Sequence, residues 1–174
     1  MANARVPPSQ RLFLALWPDP ALRDVVAAWQ QAWTWPAGAR LVASGQLHLT
    51  LHFLGNVAAA RLGALRAGLR VPFDPFELQL GDAKVWPGGI AVLRPQRAPP
   101  ALLVLHARLA TALAALDFAA EPRQYKPHVT LARRAAGAVP PPGNPAFTWR
   151  ANAGYVLVRT LPEGGGYEVL ERFS

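Results

Sequence analysis

The sequence predicts an α+β protein built from two similar halves, and three observations predict it. Strand-like and helix-like periodicities alternate along the chain and pass through much the same order twice. The phrase His-x-Thr-Leu occurs as HLTL from His48 and again as HVTL from His128, once in each half. A chain of 174 residues with 52% hydrophobic content suits one compact domain over residues 1–174, with a substantial core and two lobes.

The elements can be justified in order. Arg11 to Trp17 (RLFLALW) is short and apolar, as a strand is, and Asp19 to Trp33 carries Leu22, Val25, Val26 and Trp29 at helical spacing. After a loop containing Pro36 and Gly38, Gln46 to Gly55 reads as a strand and Ala58 to Arg70 as a helix. The second half follows loosely. Phe76 to Val85 and Ile90 to Leu93 are strands joined by the turn Pro87-Gly88-Gly89. Pro99 to Leu116 is a helix whose stripe is Leu102, Leu105, Leu109, Leu113 and Leu116. His128 to Arg133 is a strand, Val139 to Pro145 an irregular connection, and Phe147 to Thr160 forms a closing hairpin with Tyr167 to Phe173 around Gly164-Gly165-Gly166.

Composition narrows the function. The chain has no cysteine, which removes disulfide frameworks, thiolate nucleophiles and Cys-ligated zinc, and is compatible with a reducing cytoplasm. The apolar run Leu12 to Trp17 is too short for a secretory core. His106, Arg108 and Asp117 interrupt the most apolar segment, Ala101 to Ala120, so no membrane span is expected. Net charge is +8 and pI about 11.2, values that favour polyanionic partners such as nucleic acid. The arginines are scattered, however, with Arg61, Arg66 and Arg70 as the main local cluster.

Strand geometry gives the repeated phrase its meaning. Alternation sends His48, Thr50 and His52 to one face and Leu49, Leu51 and Phe53 to the other, where they can enter a core; His128 and Thr130 likewise oppose Val129 and Leu131. Residues two apart on a strand lie roughly 6.5 to 7 Å apart at Cα, so one imidazole and one hydroxyl can touch the same tetrahedral group. Two such strands, one from each lobe, bring two histidines and two threonines around one centre across a cleft. A metal site is not expected, because His48 and His52 lie about 13 Å apart on a strand and neither motif contains Asp or Glu. His52 is expected at the solvated rim, and His106 in a structural place on its helix.

HLTL and HVTL, with RLFLALWPDP before the first and YKPHVTLAR around the second, resemble the two-histidine (2H) phosphoesterase superfamily, in its bacterial RNA 2′,3′-cyclic phosphodiesterase (2′-5′ RNA ligase-like) branch. The likeness extends over nearly the whole chain, including PPPG at Pro140 to Gly143 and YEVLERF at Tyr167 to Phe173. It implies a bilobal fold of two pseudo-symmetric lobes, each with an antiparallel-rich sheet and helices outside, and an active-site cleft between them. It also implies no required metal, and RNA ends or cyclic nucleotides as substrates; beside it, no cofactor, a cytoplasmic location and a monomer are expected. By the same resemblance His48 is the proton donor, His128 the proton acceptor, and Thr50, Thr130 and Arg133 bind substrate. Arg133 requires a bulge or a strand end, since strict alternation sends it away from the face of His128.

The chemistry fits those residue types. Opening a cyclic phosphodiester with water needs a base for the nucleophile, an acid for the leaving sugar oxygen, and donors for a phosphorane-like transition state. Two histidines and two threonines supply all three. Two alternatives stand beside hydrolysis: 2′-5′ RNA end joining without ATP, and a non-catalytic RNA-binding protein that uses the same cleft.

Overall fold

The computed structural model describes residues 8–174. Nine strands and three α-helices follow in chain order: β1 (Ser9–Leu16), α1 (Pro20–Gln31), β2 (Arg40–Leu41), β3 (Leu49–Ala58), α2 (Leu62–Gly68), β4 (Phe76–Trp86), β5 (Ile90–Pro95), α3 (Pro100–Ala115), β6 (Val129–Arg133), β7 (Phe147–Ala151), β8 (Tyr155–Thr160) and β9 (Tyr167–Phe173). The strands pair antiparallel in the order β7-β4-β5-β6-β3-β1-β8-β9, with β2 beside β6. The middle of this path is its narrowest joint, since β3 and β6 share the single pair Leu49 and Val129. On one side of the joint lie β3, β1, β8 and β9 and on the other β6, β5, β4 and β7, so the β8–β9 hairpin, read with the second half, stands beside the strands of the first.

The expected strand Phe147 to Thr160 is in fact two. β7 pairs with β4 at one edge, whereas β8 pairs with β1 and β9 near the other. Only Asn152 to Gly154 connect them, a link that spans at most about 14 Å between Ala151 and Tyr155. The two ends of the path are therefore close, and the sheet curls into a half-barrel. Gly154 makes the turn possible: its φ is +82°, and a Cβ there would stand 1.7 Å from the carbonyl oxygen of Phe173. Gly154→Ala is expected to destabilise the fold by at least about 2 kcal/mol and to lower Tm by roughly 5 °C or more. An unchanged thermal melt would show that this turn does not hold the curl.

The helices cover the convex face. α1 starts at Asp19, whose side chain accepts a hydrogen bond from the Leu22 N–H at 2.9 Å, with Pro20 in the first turn, where a missing N–H costs nothing. It buries Leu22, Val26 and Gln30. Its contacts reach β7 in the other half, while α3 of the second half contacts β3 of the first. One apolar cluster accordingly includes Leu14, Leu49 and Leu157 together with Leu78, Leu93, Leu109 and Leu131. The hydroxyl of buried Tyr155 donates to the Leu69 carbonyl at 2.6 Å and accepts from the Val71 N–H at 2.9 Å, which ties the end of α2 to β8. Arg66 and Arg70 pair with Glu171, and Arg61 lies over the Phe118 ring. The local arginine cluster is thus engaged on the convex side.

Candidate active site

The concave face gathers at the β3–β6 joint. His48 and His128 stand immediately before β3 and β6, one residue earlier than the hydrogen-bonded strands begin. With Leu49 opposite Val129, the neighbouring positions of an antiparallel register are His48 with Thr130 and Thr50 with His128. Each histidine therefore meets the threonine of the other motif as well as its own.

The two imidazoles are held alike. His48 Nδ1 lies 2.7 Å from the carbonyl oxygen of Gln46, and His128 Nδ1 lies 2.7 Å from that of Lys126. A carbonyl can only accept, so each Nδ1 carries the hydrogen and each Nε2 is left as the atom that gains or loses a proton. The identical i−2 contacts follow from the repeat, which gives both histidines the same approach to their strands.

A β-bulge follows each motif. Ala15 pairs with Thr50 and Leu14 with His52, so Leu51 is the extra residue; Val92 pairs with Thr130 and Ala91 with Ala132, so Leu131 is the extra residue. Both leucines enter the core and reset the alternation beyond them. This is the condition Arg133 needed, because the bulge at Leu131 turns it back to the face of Thr130. The bulge at Leu51 has the opposite consequence for His52, which was expected at the solvated rim. His52 is 8% exposed on the convex side, its Nε2 lies 2.9 Å from the His106 carbonyl oxygen, and its ring stacks on that of His106 at 4.0 Å. Phe53, expected in the core, is instead turned to the concave face and is 62% exposed.

Each bulge is supported from the opposite half of the chain. The Leu131 carbonyl accepts from Gln30 Nε2 of α1 at 2.6 Å and from the Val42 N–H at 2.8 Å. The Thr50 carbonyl accepts from the Tyr125 hydroxyl at 3.2 Å, and the Tyr125 ring stacks on His106 at 3.8 Å. Tyr125 lies just upstream of His128, so one hydrogen bond links the approach to the second motif with the backbone of the first.

The surroundings of the two histidines differ. His48 sits among Trp17, at 5.0 Å and 6° from parallel, Phe13 at 5.0 Å and Tyr167 at 5.1 Å. Burial lowers its pKa to about 4, opposed by the Gln46 carbonyl and reinforced by His128 and Arg133. His128 touches Trp86 at 4.5 Å, and burial also lowers its pKa, with further lowering from Arg94 and Arg133. The β5–β6 register brings Arg94 beside His128, and the β2–β6 register sets Arg40 opposite Arg133. Sequence reasoning missed Arg40, Arg94, Trp17 and Trp86, because only the strand pairings bring them to the motifs. Among the described residues no group of three or more His, Asp or Glu side chains is placed to hold a metal ion, and no helix is long and apolar enough to cross a membrane.

Known proteins share this fold. A family model described as the 2′-5′ RNA ligase superfamily matches residues 17–154. The RNA 2′,3′-cyclic phosphodiesterase of Escherichia coli (strain K12) is 38% identical over 145 residues, 80% of this chain and 80% of that protein. The crystal structure of E. coli LigT in apo form matches with a TM-score of 0.83 at 31% identity, covering 95% of this chain and 97% of that one. LigT complexed with 3′-AMP matches with a TM-score of 0.82 at 31% identity, covering 95% and 98%.

Proposed function

Because this chain belongs to the 2′-5′ RNA ligase superfamily, we propose that it is an RNA 2′,3′-cyclic phosphodiesterase that works by metal-independent acid/base catalysis between two histidines. The observation that carries this reading is the pair of imidazoles at one joint, each fixed through Nδ1 and each with Nε2 left to transfer a proton. A cyclic phosphate seated between them meets one nitrogen on the side of attack and one on the side of departure.

In the proposed step, His128 Nε2 takes a proton from water as the water oxygen forms its bond to phosphorus. The bond from phosphorus to O3′ breaks, and His48 Nε2 gives its proton to that oxygen. The product is a 2′-phosphomonoester with a free 3′ hydroxyl, and the second water proton leaves with solvent. Thr50 and Thr130 donate to the non-bridging oxygens, and Arg133 offsets their charge. The bulge at Leu131 supports the role of Arg133 by turning it to the reacting face. Within this proposal residues 1–174 act as one domain, and the protein is a monomer working in the cytoplasm on RNA ends.

The test is incubation of EDTA-treated protein with a 2′,3′-cyclic-ended oligonucleotide and with a cyclic mononucleotide, with identification of the phosphate isomer. A 2′-phosphate is expected from both. A 3′-phosphate would show that the bond to O2′ breaks instead of the bond to O3′, tight binding without turnover would select a binding protein, and activity restored only by added metal would overturn the mechanism. Thr50→Val and Thr130→Val keep side-chain shape while deleting a donor, and each is expected to lower kcat about tenfold with little change in KM, as steady-state kinetics will read.

A further inference from the structure

We propose that the cleft between the end of β1, the start of α1 and the β7–β8 turn is a second subsite, which holds the nucleotide upstream of the cyclic phosphate. The preferred substrate is then the end of an RNA strand and not a cyclic mononucleotide. This rests on the catalytic reading above for the position of the reacting phosphate. The cleft has a volume of about 290 Å³, and its lining includes Trp17, Asp19, Arg23, Arg150, Asn152 and Arg172.

Strand register connects this cleft to the site. Thr50 pairs with Ala15, Ala15 with Val156, and Val156 with Arg172, so these four positions form one cross-strand row on the concave face. Three strand spacings put the Arg172 backbone about 14 Å from that of Thr50. An arginine there stops short of a phosphate held between the threonines, and reaches toward the next group of a strand that passes over Trp17, whose ring packs against the buried cluster of Ala15 and Val156. Trp17 belongs to both regions: its ring is stacked on His48, and it also lines the cleft. An indole in that position offers a base a surface to stack on whatever its identity.

The charges suit a phosphate. Three arginines line the cleft against one carboxylate, Asp19, and that carboxylate already caps α1 through the Leu22 N–H. Arg23 is anchored by Nη1 to the Gly45 carbonyl at 3.0 Å, and its buried Nε has no partner among the described residues. Among the described residues Arg150 is held by an exposed pair with Glu77 at 3.3 Å, which water and salt screen and an incoming phosphate can replace. Arg172 is exposed and meets the row directly.

The test compares kcat/KM for a short cyclic-ended oligonucleotide and for a cyclic mononucleotide, in the wild type and in Arg150→Ala, Arg172→Ala and the double variant. The wild type is expected to favour the oligonucleotide by about tenfold or more, less so as salt rises from about 50 to 200 mM. Each single variant should lose about threefold or more of that advantage, the double variant most of it, and none should change turnover of the mononucleotide. Arg172→Lys should restore part of the loss, and both arginines are exposed, so melts should be unaltered. Equal activity of the wild type on the two substrates, or equal loss on both in the variants, overturns the subsite. If folded wild-type protein turns over neither substrate, the catalytic reading has failed instead. The subsite is then judged by binding of a 2′-phosphate-ended oligonucleotide, which Arg150→Ala and Arg172→Ala must weaken for it to stand.

Discussion

His48→Ala and His128→Ala are each expected to lower turnover of a 2′,3′-cyclic phosphate by at least about 10²-fold, because each deletes one of the two proton transfers. The loss should fall on kcat more than on KM, since neither ring is the main contact for the ground-state phosphate. The double variant should fall well short of the product of the two effects. Once one transfer is gone, water must do that work and the second imidazole has little left to couple to. Ring packing separates the two controls. His48 lies within an aromatic cluster with Trp17, Phe13 and Tyr167, so His48→Ala opens space there and His48→Gln is the better probe of chemistry; His128 touches Trp86 alone of the aromatic rings. Wild-type turnover in either folded variant would end the two-histidine assignment.

The repeat made the site legible in the sequence, and the bulges made part of it illegible. Period-two alternation is a sound guide to Thr50 and Thr130, which face as expected, and it fails one residue later in each strand. The extra residues Leu51 and Leu131 are apolar like their neighbours, so nothing in composition marks them as bulged; only the pairing with β1 and β5 does. The failure misplaced His52 and Phe53, and it is the reason Arg133 needed a condition that alternation could not supply. The split of Phe147 to Thr160 was hidden for a related reason. Asn152 and Gly154 are ordinary strand interruptions by type, and the demand for φ of +82° at Gly154 arises only where β8 and β9 close against it. By contrast α1, α3 and the β8–β9 hairpin were readable, because helical spacing, an apolar stripe and turn glycines are local signals.

The twin bulges also expose an asymmetry the repeated phrase conceals. Five residues past each histidine stand Phe53 and Arg133, both turned to the concave face, and beside the histidines on the neighbouring strands stand Trp17 and Arg94. One half packs its imidazole among three aromatic rings, and the other sets one ring, Trp86, and the Arg94 guanidinium beside its own. A symmetric pair of proton-transfer groups is thereby set in an asymmetric field, which a substrate that is part sugar and base and part phosphate can enter in one preferred direction.

That field sets the last expectation, the pH dependence. Both imidazoles have their pKa lowered from the ordinary 6.5, His48 to about 4, chiefly because burial penalises the cation and secondarily because arginines repel it. A lowered histidine pKa means the neutral ring persists to lower pH, so in the free enzyme both limbs of kcat/KM should lie below about 6.5. The active form needs one ring protonated and one neutral, which gives a bell whose limbs belong to the pair and not to either residue. Above the upper limb kcat/KM falls tenfold per pH unit, so at pH 8 it should be at least about thirtyfold below its optimum. Bound substrate reverses the sign: its anionic phosphate favours the imidazolium, and the profile of kcat should sit at higher pH than that of kcat/KM. Arg133→Ala removes a charge that lowers both rings and should move both limbs of kcat/KM to higher pH, an effect that a merely structural arginine would not produce. A free-enzyme bell centred above pH 7 would show that burial does not hold these rings below 6.5, and one unmoved by Arg133→Ala would show that its charge does not act on them.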